Sequence, residues 1–281
     1  MRIDAHQHFW VYSPAEYPWL GKGMEHLRRD FLPADLEPLL RQHGLDGSVA
    51  VQARQSLEET RWLLELADRH ASIAGVVGWV DLRSADLEEQ LQKFTSHPKF
   101  VGVRHVAQDE VDDRFLARDE VIAGVAALHA YGLVYDLLIY PRQLPAAIQL
   151  VAALPAQTFV LDHLAKPLIR ERKIEPWASQ LRELASHPNV ACKLSGIITE
   201  ADWLQWRPEE ITPYLDVARE AFGWERLLYG SDWPVCLAAG DYAQVFDLVD
   251  QWSQSATEAQ RASFFGQAAE RWYRLSGDSP P

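Results

Sequence analysis

Short apolar runs alternate along the chain with segments whose hydrophobic residues recur at helical spacing. Runs that are rich in β-branched residues and bounded by turn residues predict buried strands. Eight such runs are present: Ile3–His8, Ser48–Gln52, Ile73–Val80, Phe100–Val106, Leu133–Tyr140, Thr158–His163, Val190–Leu194 and Arg226–Ser231.

Helices are predicted between these runs. Helical spacing is found in Pro33–His43, Ser56–His70, Asp86–Ser96 and Gln180–Ser186. Ser56 stands before an acidic first turn and is expected to cap its helix. A His-Pro step stops each of the last two helices before the next strand, because the proline ring disfavours helical backbone at the preceding residue.

This alternation predicts the fold class. Parallel strands need crossover connections, and near-continuous apolar strands indicate a sheet that helices cover. Eight strand–helix units in 281 residues suit a single (β/α)8 TIM barrel over residues 1–275, with a short C-terminal tail over 276–281. The competing fold is an open doubly wound sheet, but no Gly-x-Gly-x-x-Gly turn follows any predicted strand.

Composition narrows the class of partner. The formal net charge is −13, and no segment is dense in lysine or arginine, which argues against nucleic acid and anionic membranes. A small molecule is therefore the expected partner. No signal peptide or long apolar segment is visible, and the only two cysteines, Cys192 and Cys236, lie in or beside predicted buried strands, so we expect a reduced, cytoplasmic protein. The sequence leaves the oligomeric state open.

The first strand ends in a His-x-His pair. Active sites of (β/α)8 barrels lie at the C-terminal ends of the strands. Because residues i and i+2 of a strand project to the same side, His6 and His8 are expected to point together, as a metal or a substrate oxygen would require. A surface position or a hydrogen-bonded position in the core is the alternative for either histidine.

Two further strand ends supply candidates. Asp232 follows the eighth run directly and would lie beside the first strand in a closed barrel, as a metal ligand or as a base that activates water. A turn or N-cap aspartate is the alternative, because Pro234 follows. His163 on the sixth strand is a candidate third imidazole, whereas its neighbour Asp162 is expected to face away and to be structural.

Other polar residues at strand ends are candidates for binding substrate. A charged side chain within or just after an apolar strand must find a carboxylate or a substrate oxygen as its partner. For Lys193, a salt bridge at the bottom of the barrel is an alternative of equal weight to substrate binding. Arg104 and His105 are adjacent, so one of them faces inward, and the sequence does not decide which. Lys166 lies either over the pocket or in solvent. The candidates are Gln52, Arg54, His105, Tyr140, Lys166 and, as aromatic walls, Trp79 and Trp233.

Seven segments together resemble the amidohydrolase superfamily, in particular its branch of sugar-lactone hydrolases. They are DAHQHFW, RRDFLPADL, VGVRHVAQDE, YDLLIYPRQL, VLDHLAKP, CKLSG and GSDWPV, spread over residues 4–235. The resemblance implies a barrel whose first strand carries His-x-His, whose sixth carries a histidine and whose eighth carries an aspartate that handles the hydrolytic water. His6, His8, His163 and Asp232 occupy those positions.

The fifth strand departs from this pattern. Metal-dependent members of the superfamily commonly supply another ligand there, but LVYDLLIYPRQ contains no histidine, and Asp136 or Tyr140 would have to replace it. The resemblance therefore leaves two possibilities. The cluster of His6, His8, His163 and Asp232 holds one divalent ion, zinc or manganese, or the enzyme is metal-independent.

The activity that the resemblance implies is hydrolysis of an aldonolactone, such as an L-fucono- or L-rhamnonolactone, to the free sugar acid. Asp232 would activate water, while His6, His8 and Arg104 would stabilise the oxyanion and His163 would orient the carbonyl or the water. Two alternatives stay open: a metal-dependent amidohydrolase or decarboxylase of the same superfamily, and a non-catalytic barrel that binds a sugar acid. No Gly-x-Ser-x-Gly elbow supports a covalent serine mechanism.

Overall fold

Eight parallel strands form one sheet in the computed structural model, which describes residues 1–275. Each strand pairs with the next one along the chain, from first to last. The strands are β1 (Ile3–Gln7), β2 (Gly47–Val51), β3 (Ile73–Gly78), β4 (Phe100–His105), β5 (Val134–Leu137), β6 (Phe159–Leu161), β7 (Val190–Leu194) and β8 (Leu227–Tyr229). All eight predicted strands are confirmed, several with shorter ends.

Within residues 1–275, ten α-helices surround or close this sheet. They are α1 (Pro33–Gln42), α2 (Leu57–Arg69), α3 (Leu87–Gln92), α4 (Asp119–Leu128), α5 (Leu144–Ala153), α6 (Trp177–Ala185), α7 (Pro208–Phe222), α8 (Tyr242–Trp252), α9 (Glu258–Ala262) and α10 (Ala268–Tyr273). None of the helices in residues 1–275 combines the length and the apolar composition that crossing a membrane requires.

Local sequence explains where helices begin. The Ser56 hydroxyl accepts hydrogen bonds from the backbone N–H groups of Glu58 and Glu59, so α2 begins at the predicted cap. Leu63 and Ala67 on this helix are buried against the sheet. Packing of such apolar faces supplies most of the stability of the helices that cover the barrel.

The barrel closes between β1 and β8. Gln7 and Trp233 form a parallel bridge, the Asp232 N–H donates to the His6 carbonyl over 2.8 Å, and the His8 N–H donates to the Trp233 carbonyl over 2.7 Å. The predicted (β/α)8 barrel is confirmed. The predicted tail, 276–281, lies outside the described residues.

The N-terminal end of the barrel is plugged by the end of the chain. Ala268, Ala269 and Tyr273 on α10 pack against a cluster of apolar residues that includes Ile3, Ala5 and the strand valines. Gly266 permits the chain to approach β1, since a Cβ there would lie 1.9 Å from the Met1 carbonyl oxygen. The bottom of the barrel is therefore closed and apolar, and polar chemistry is confined to the upper interior and the mouth.

Asp4 connects the two strands that close the barrel. Its Oδ1 accepts the Ser231 N–H over 2.8 Å and the His6 N–H over 3.2 Å, while its Oδ2 accepts the Tyr242 hydroxyl over 3.0 Å. The carboxyl is fully buried, and burial raises its pKa to about 6 although these hydrogen bonds oppose the increase. One side chain thus fixes the backbone beside both His6 and Asp232.

We expect Asp4→Ala to lower the free energy of unfolding by about 2–4 kcal/mol, because it leaves two buried N–H groups without their acceptor. Asp46→Ala is the matched control, since Asp46 also accepts a backbone N–H bond, from Arg2, but is exposed. Urea denaturation of both variants measures the difference. Equal losses in the two variants would contradict the assignment of Asp4 as the connection that closes the barrel.

Candidate active site

Four side chains from three strand ends converge at the mouth of the barrel. The Nε2 atoms of His6 and His8 are 3.2 Å apart. Asp232 Oδ1 lies 3.3 Å from His8 Nε2, 3.8 Å from His6 Nε2 and 4.0 Å from His163 Nε2. All four side chains are almost completely buried. We call this set, His6, His8, His163 and Asp232, the strand-end cluster.

Hydrogen bonds fix the orientation of two of its imidazoles. His8 Nδ1 lies 2.7 Å from the Val51 carbonyl oxygen, which can only accept, so Nδ1 carries the proton and Nε2 presents its lone pair. His163 Nδ1 lies 2.9 Å from the Ser195 hydroxyl, and its Nε2 therefore also points to Asp232. Such outer partners set which nitrogen is free to bind a metal or a substrate.

Backbone geometry brings Asp232 and His163 together. Both residues have left-handed backbone, with φ values of 57° and 52°. Gly196, which follows β7, lies directly beneath them, because a Cβ at this position would be 2.6 Å from His163 Nδ1 and 3.0 Å from Asp232 Oδ2. Only glycine fits this close approach, and its own φ of 58° also favours glycine.

Burial favours the neutral form of His6 and His163. It lowers the pKa of His163 to about 4 and the pKa of His6 well below its usual range, although nearby carboxylates oppose both changes. Burial would raise the pKa of Asp232, but His163, His8 and His6 outweigh it and hold that pKa below its ordinary value. At neutral pH the cluster therefore offers the neutral nitrogen donors of His6 and His163 beside an ionised carboxylate.

A network of buried charges lies directly below the cluster. Lys193 Nζ lies 2.6 Å from Asp136 Oδ2 and 3.0 Å from Asp162 Oδ1, and Arg104 NH1 lies 3.0 Å from Asp162 Oδ2. We call these four residues the interior charge network. It touches the cluster at His6, whose Nδ1 is 3.2 Å from Asp162 Oδ1 and 3.1 Å from Lys193 Nζ.

The network corrects one expectation and decides two others. Asp162 does not face away, because left-handed backbone from His163 onward breaks the strand alternation and leaves both side chains directed inward. Arg104, not His105, points into the interior, where its NH1 is 3.3 Å from His6 Nε2. Lys193 forms salt bridges, as its alternative held, but they lie in the interior below the strand-end cluster and not at the apolar bottom of the barrel.

Asp136 has a different role from the one considered for strand five. Its carboxylate is bound by Lys193 and by the hydroxyl of Tyr273, which donates over 2.8 Å from α10. It belongs to the interior charge network below the strand-end cluster. The network carries two carboxylates and two cations, so its formal charges balance within the barrel.

The other predicted binding residues lie around the mouth or in its walls. Gln52 is buried, and its carbonyl and side-chain amide are hydrogen-bonded to Arg104. The Trp79 indole N–H lies 3.5 Å from His105 Nδ1, and the Lys166 ammonium lies 5.4 Å from the centre of the Tyr140 ring.

Two of the predicted residues are already engaged elsewhere. Arg54 forms ion pairs with Glu16 and Glu59 and lies over the Tyr17 ring. Trp233 is buried against Phe9 and Phe31. Packing therefore accounts for Trp233, and neighbouring carboxylates account for the charge of Arg54.

Three acidic groups at this end of the barrel were not found from sequence. Glu110 Oε1 lies 2.7 Å from His105 Nε2, and Glu200 Oε1 lies 3.8 Å from Lys166 Nζ. Glu59, fully buried on α2, accepts the N–H groups of Ala53 and Arg54. An acidic residue within an apolar helical face is the one signal that would have found Glu59, whereas the loop residues Glu110 and Glu200 carry no local signal.

The strand-end cluster fits a divalent metal. Bonds of about 2.0–2.2 Å in tetrahedral geometry place neighbouring ligand atoms roughly 3.3–3.6 Å apart. The separations of 3.2 Å between His6 and His8 and of 3.3 Å between His8 and Asp232 agree with this spacing. Neutral imidazoles and one carboxylate are the donor set that zinc favours, and the ligand atoms of His6, His8 and Asp232 all lie within 4.8 Å of one another.

Comparisons with known proteins show which proteins this chain resembles. The amidohydrolase family profile matches residues 3–275. An L-fucono-1,5-lactonase from Burkholderia multivorans is 46% identical over 98% of this chain and 96% of its own length, and another from Burkholderia ambifaria is 39% identical over 99% and 98%. A crystal structure of a Burkholderia multivorans amidohydrolase with bound zinc superposes with a TM-score of 0.95, at 46% identity over 98% of this chain and 99% of that one.

We expect the protein, loaded with zinc and then dialysed, to retain about one zinc ion per chain in the strand-end cluster. His8→Ala should lower zinc affinity at least tenfold, because it removes one ligand whose lone pair is already oriented. His97→Ala on the outer surface, where His97 pairs with Asp68, is the control. Elemental analysis and competition with a chelator measure both variants, and zinc retained equally by the two would contradict this ligand set.

Proposed function

The chain belongs to the amidohydrolase family, and from this premise we propose that it is a lactonase that hydrolyses an aldonolactone, such as an L-fuconolactone, to the free sugar acid. The observation that supports this most directly is the convergence of three imidazoles and one ionised carboxylate at the barrel mouth. The names of the two Burkholderia relatives point to the same chemistry.

Asp232 is the proposed base. Its carboxylate is ionised at neutral pH and lies 3.3 to 4.0 Å from the Nε2 atoms of three imidazoles. A water molecule bound there donates one proton to Asp232 as its oxygen attacks the lactone carbonyl carbon. His163, held by Ser195, orients this water or the carbonyl.

Positive charge beside the cluster stabilises the oxyanion that forms on the carbonyl oxygen. Arg104 is fixed by Asp162 and Gln52 and lies against His6, so its guanidinium is preorganised at the point where negative charge develops. His6 and His8 border the same space. A zinc ion held by His6, His8, His163 and Asp232 would act there as a Lewis acid that polarises the carbonyl.

Collapse of the tetrahedral adduct breaks the bond between the carbonyl carbon and the ring oxygen. The proton that Asp232 took from water passes to this oxygen, which leaves as a hydroxyl group, and His163 is placed to relay it. The carboxylate of Asp232 is thereby regenerated. The product acid loses its own proton to the solution at neutral pH.

The polar mouth suits a polyhydroxylated ring. We assign Gln52, His105, Tyr140 and Lys166 to hydrogen bonds with sugar hydroxyl groups and Trp79 to the wall. Arg54 and Trp233 are left out, because carboxylates already bind Arg54 and Trp233 is packed against Phe9 and Phe31. The contact between the Trp79 indole and His105 supports a paired wall on that side, and His105 is in turn held by Glu110. Lys166 and Tyr140 lie beside each other further round the mouth, after β6 and β5.

A screen of aldonolactones with a pH indicator tests the function, because hydrolysis releases acid whatever the sugar. We expect turnover of L-fuconolactone or a close stereoisomer, with a lower rate after treatment with a chelator and recovery on addition of zinc. Aryl carboxylic acids, followed by carbon dioxide release, test the decarboxylase alternative in the same preparation. Decarboxylation without lactone hydrolysis would overturn the proposal.

Asp232→Asn should lower kcat by about 10³-fold or more, because the amide cannot accept the proton from water. Asp68→Asn, on the exposed face of α2, should keep the parental rate. A non-catalytic sugar-acid-binding barrel would show no turnover in the parent and equal sugar-acid affinity in both variants, which calorimetry measures. Parental turnover by Asp232→Asn would exclude Asp232 as the base.

A further inference from the structure

Glu59 is a buried carboxylate that lies outside both the strand-end cluster and the interior charge network. It stands in the first turn of α2, close to the C-terminal end of β2. Its Oε2 accepts two consecutive backbone N–H groups, from Ala53 over 3.0 Å and from Arg54 over 2.9 Å, and its Oε1 lies 3.4 Å from the Tyr17 hydroxyl. One buried carboxylate therefore holds the backbone that follows β2.

A single peptide group connects this carboxylate with Arg104. The N–H that Ala53 donates to Glu59 and the carbonyl of Gln52 belong to the same trans peptide, in which they point in opposite directions. That carbonyl accepts a hydrogen bond from Arg104 NH2. Glu59 and Arg104 thus hold the two sides of one planar group.

The guanidinium of Arg104 has few other partners. NH1 donates to Asp162 Oδ2 over 3.0 Å and lies 3.3 Å from His6 Nε2, whereas Nε has no hydrogen-bond partner among residues 1–275. NH2 is bound by Gln52, through its carbonyl and through its side-chain oxygen at 3.5 Å. The orientation of the guanidinium therefore depends on where the Gln52 carbonyl points.

The sheet does not fix the peptide that carries this carbonyl. β2 ends at Val51, and the Gln52 N–H still donates to the Val77 carbonyl of β3 over 2.8 Å. The next N–H, that of Ala53, has Glu59 as its acceptor instead of a strand. A side chain from α2 thus takes over from the ladder at the point where the backbone meets Arg104.

Electrostatics agree with this connection. Burial raises the pKa of Glu59 to about 7, and the two backbone N–H groups, the charge of Arg54 and the charge of Arg104 oppose the increase. Arg104 is therefore close enough for its charge to favour the ionised carboxylate.

We infer that Glu59 is a positioning residue for Arg104: it holds the peptide between Gln52 and Ala53 so that the Gln52 carbonyl stays directed at the guanidinium. Glu59 acts through the backbone and not on the substrate itself. The kinetic part of this inference rests on the proposed lactonase function, whereas the fixed orientation of Arg104 does not.

Substitutions of Glu59 separate the hydrogen-bond acceptor from the charge and the volume. Glu59→Met keeps a side chain of similar length and helix propensity but removes the strong acceptor. Glu59→Gln keeps one oxygen, which can accept both N–H groups as Oε2 does, while its amide nitrogen faces the Tyr17 hydroxyl. Glu59→Ala replaces Glu59→Met in the experiment if the methionine variant does not fold.

The next helix along the barrel supplies a matched control. Gln90 on α3 is also buried, and its side-chain oxygen accepts the Asp81 N–H over 2.9 Å in the loop that follows β3. The carbonyl of that peptide belongs to Val80, which is not a hydrogen-bond partner of Arg104 among residues 1–275. Gln90→Met therefore removes the same kind of bond without reaching Arg104.

The experiment uses the full-length protein at mildly alkaline pH, above the pKa of Glu59. ¹⁵N spectra of arginine side chains measure rotation of the Arg104 guanidinium, with its signals assigned by their loss in Arg104→Lys, and lactone hydrolysis gives kcat and KM. For Glu59→Met we expect faster rotation and a fall in kcat of about 10-fold at unchanged KM, which is less than the loss for removing an oxyanion donor itself. Glu59→Gln and Gln90→Met should keep the parental rotation and kcat.

A double-mutant cycle tests whether Glu59 acts through Arg104. Arg104→Lys keeps the charge but loses the planar fork that binds Gln52 and Asp162 together. In that background Glu59→Met should lower kcat by less than about twofold further, because residues that act as one unit are not additive. An equal loss of kcat in both backgrounds, or parental kcat and rotation in Glu59→Met with a lower melting temperature, would show a purely structural role and overturn the inference.

The two failures are distinguishable. If the parent hydrolyses no lactone, the proposed function fails, and rotation of the Arg104 guanidinium still decides the inference. If the parent hydrolyses lactones and Glu59→Met equals Gln90→Met in both measurements, the inference fails and the function stands.

Discussion

The buried ammonium of Lys193 is the constraint on which the arrangement of the site depends. A charge inside the barrel has lost its hydration and is tolerated only when carboxylates at short distance replace it. Asp136 and Asp162 supply that replacement, and Asp162 also binds Arg104 and His6. Because Lys193 and these partners come from five strands, neutralising one lysine fixes side chains around most of the barrel.

The barrel separates this polar interior from two other environments. Below it, α10 and the strand valines form an apolar plug that excludes water. Above it, the mouth carries the strand-end cluster and a rim of polar and aromatic residues. The apolar surroundings below the interior charge network have a low dielectric constant, which strengthens each electrostatic contact in the network. Arg104 and His6 are therefore held in place before substrate binds. In our proposal that preorganisation, with or without zinc, lowers the barrier to attack on the lactone carbonyl.

Closure of the barrel serves the site as well as the fold. His6 and Asp232 lie at opposite ends of the chain and come together only where β1 meets β8. Asp4 accepts backbone N–H groups on both sides of this junction, from His6 and from Ser231. The closure of the barrel and the position of the proposed base, Asp232, therefore depend on the same buried carboxylate. His163 comes to this junction from β6, and the Ser195 hydroxyl after β7 holds its imidazole in place.

Sequence by itself determined the eight strands, the parallel barrel and the convergence of His6, His8, His163 and Asp232, because hydrophobic periodicity and position at strand ends are local properties. It could not place Asp162, whose inward direction depends on left-handed backbone after β6, nor choose between Arg104 and His105. It could not connect Tyr273 with Asp136 either, since that contact joins residues 137 positions apart. Only the tertiary structure decided these three points. The partner of a buried charge depends on distance in space, and it produces no pattern of hydrophobic and polar residues along the chain.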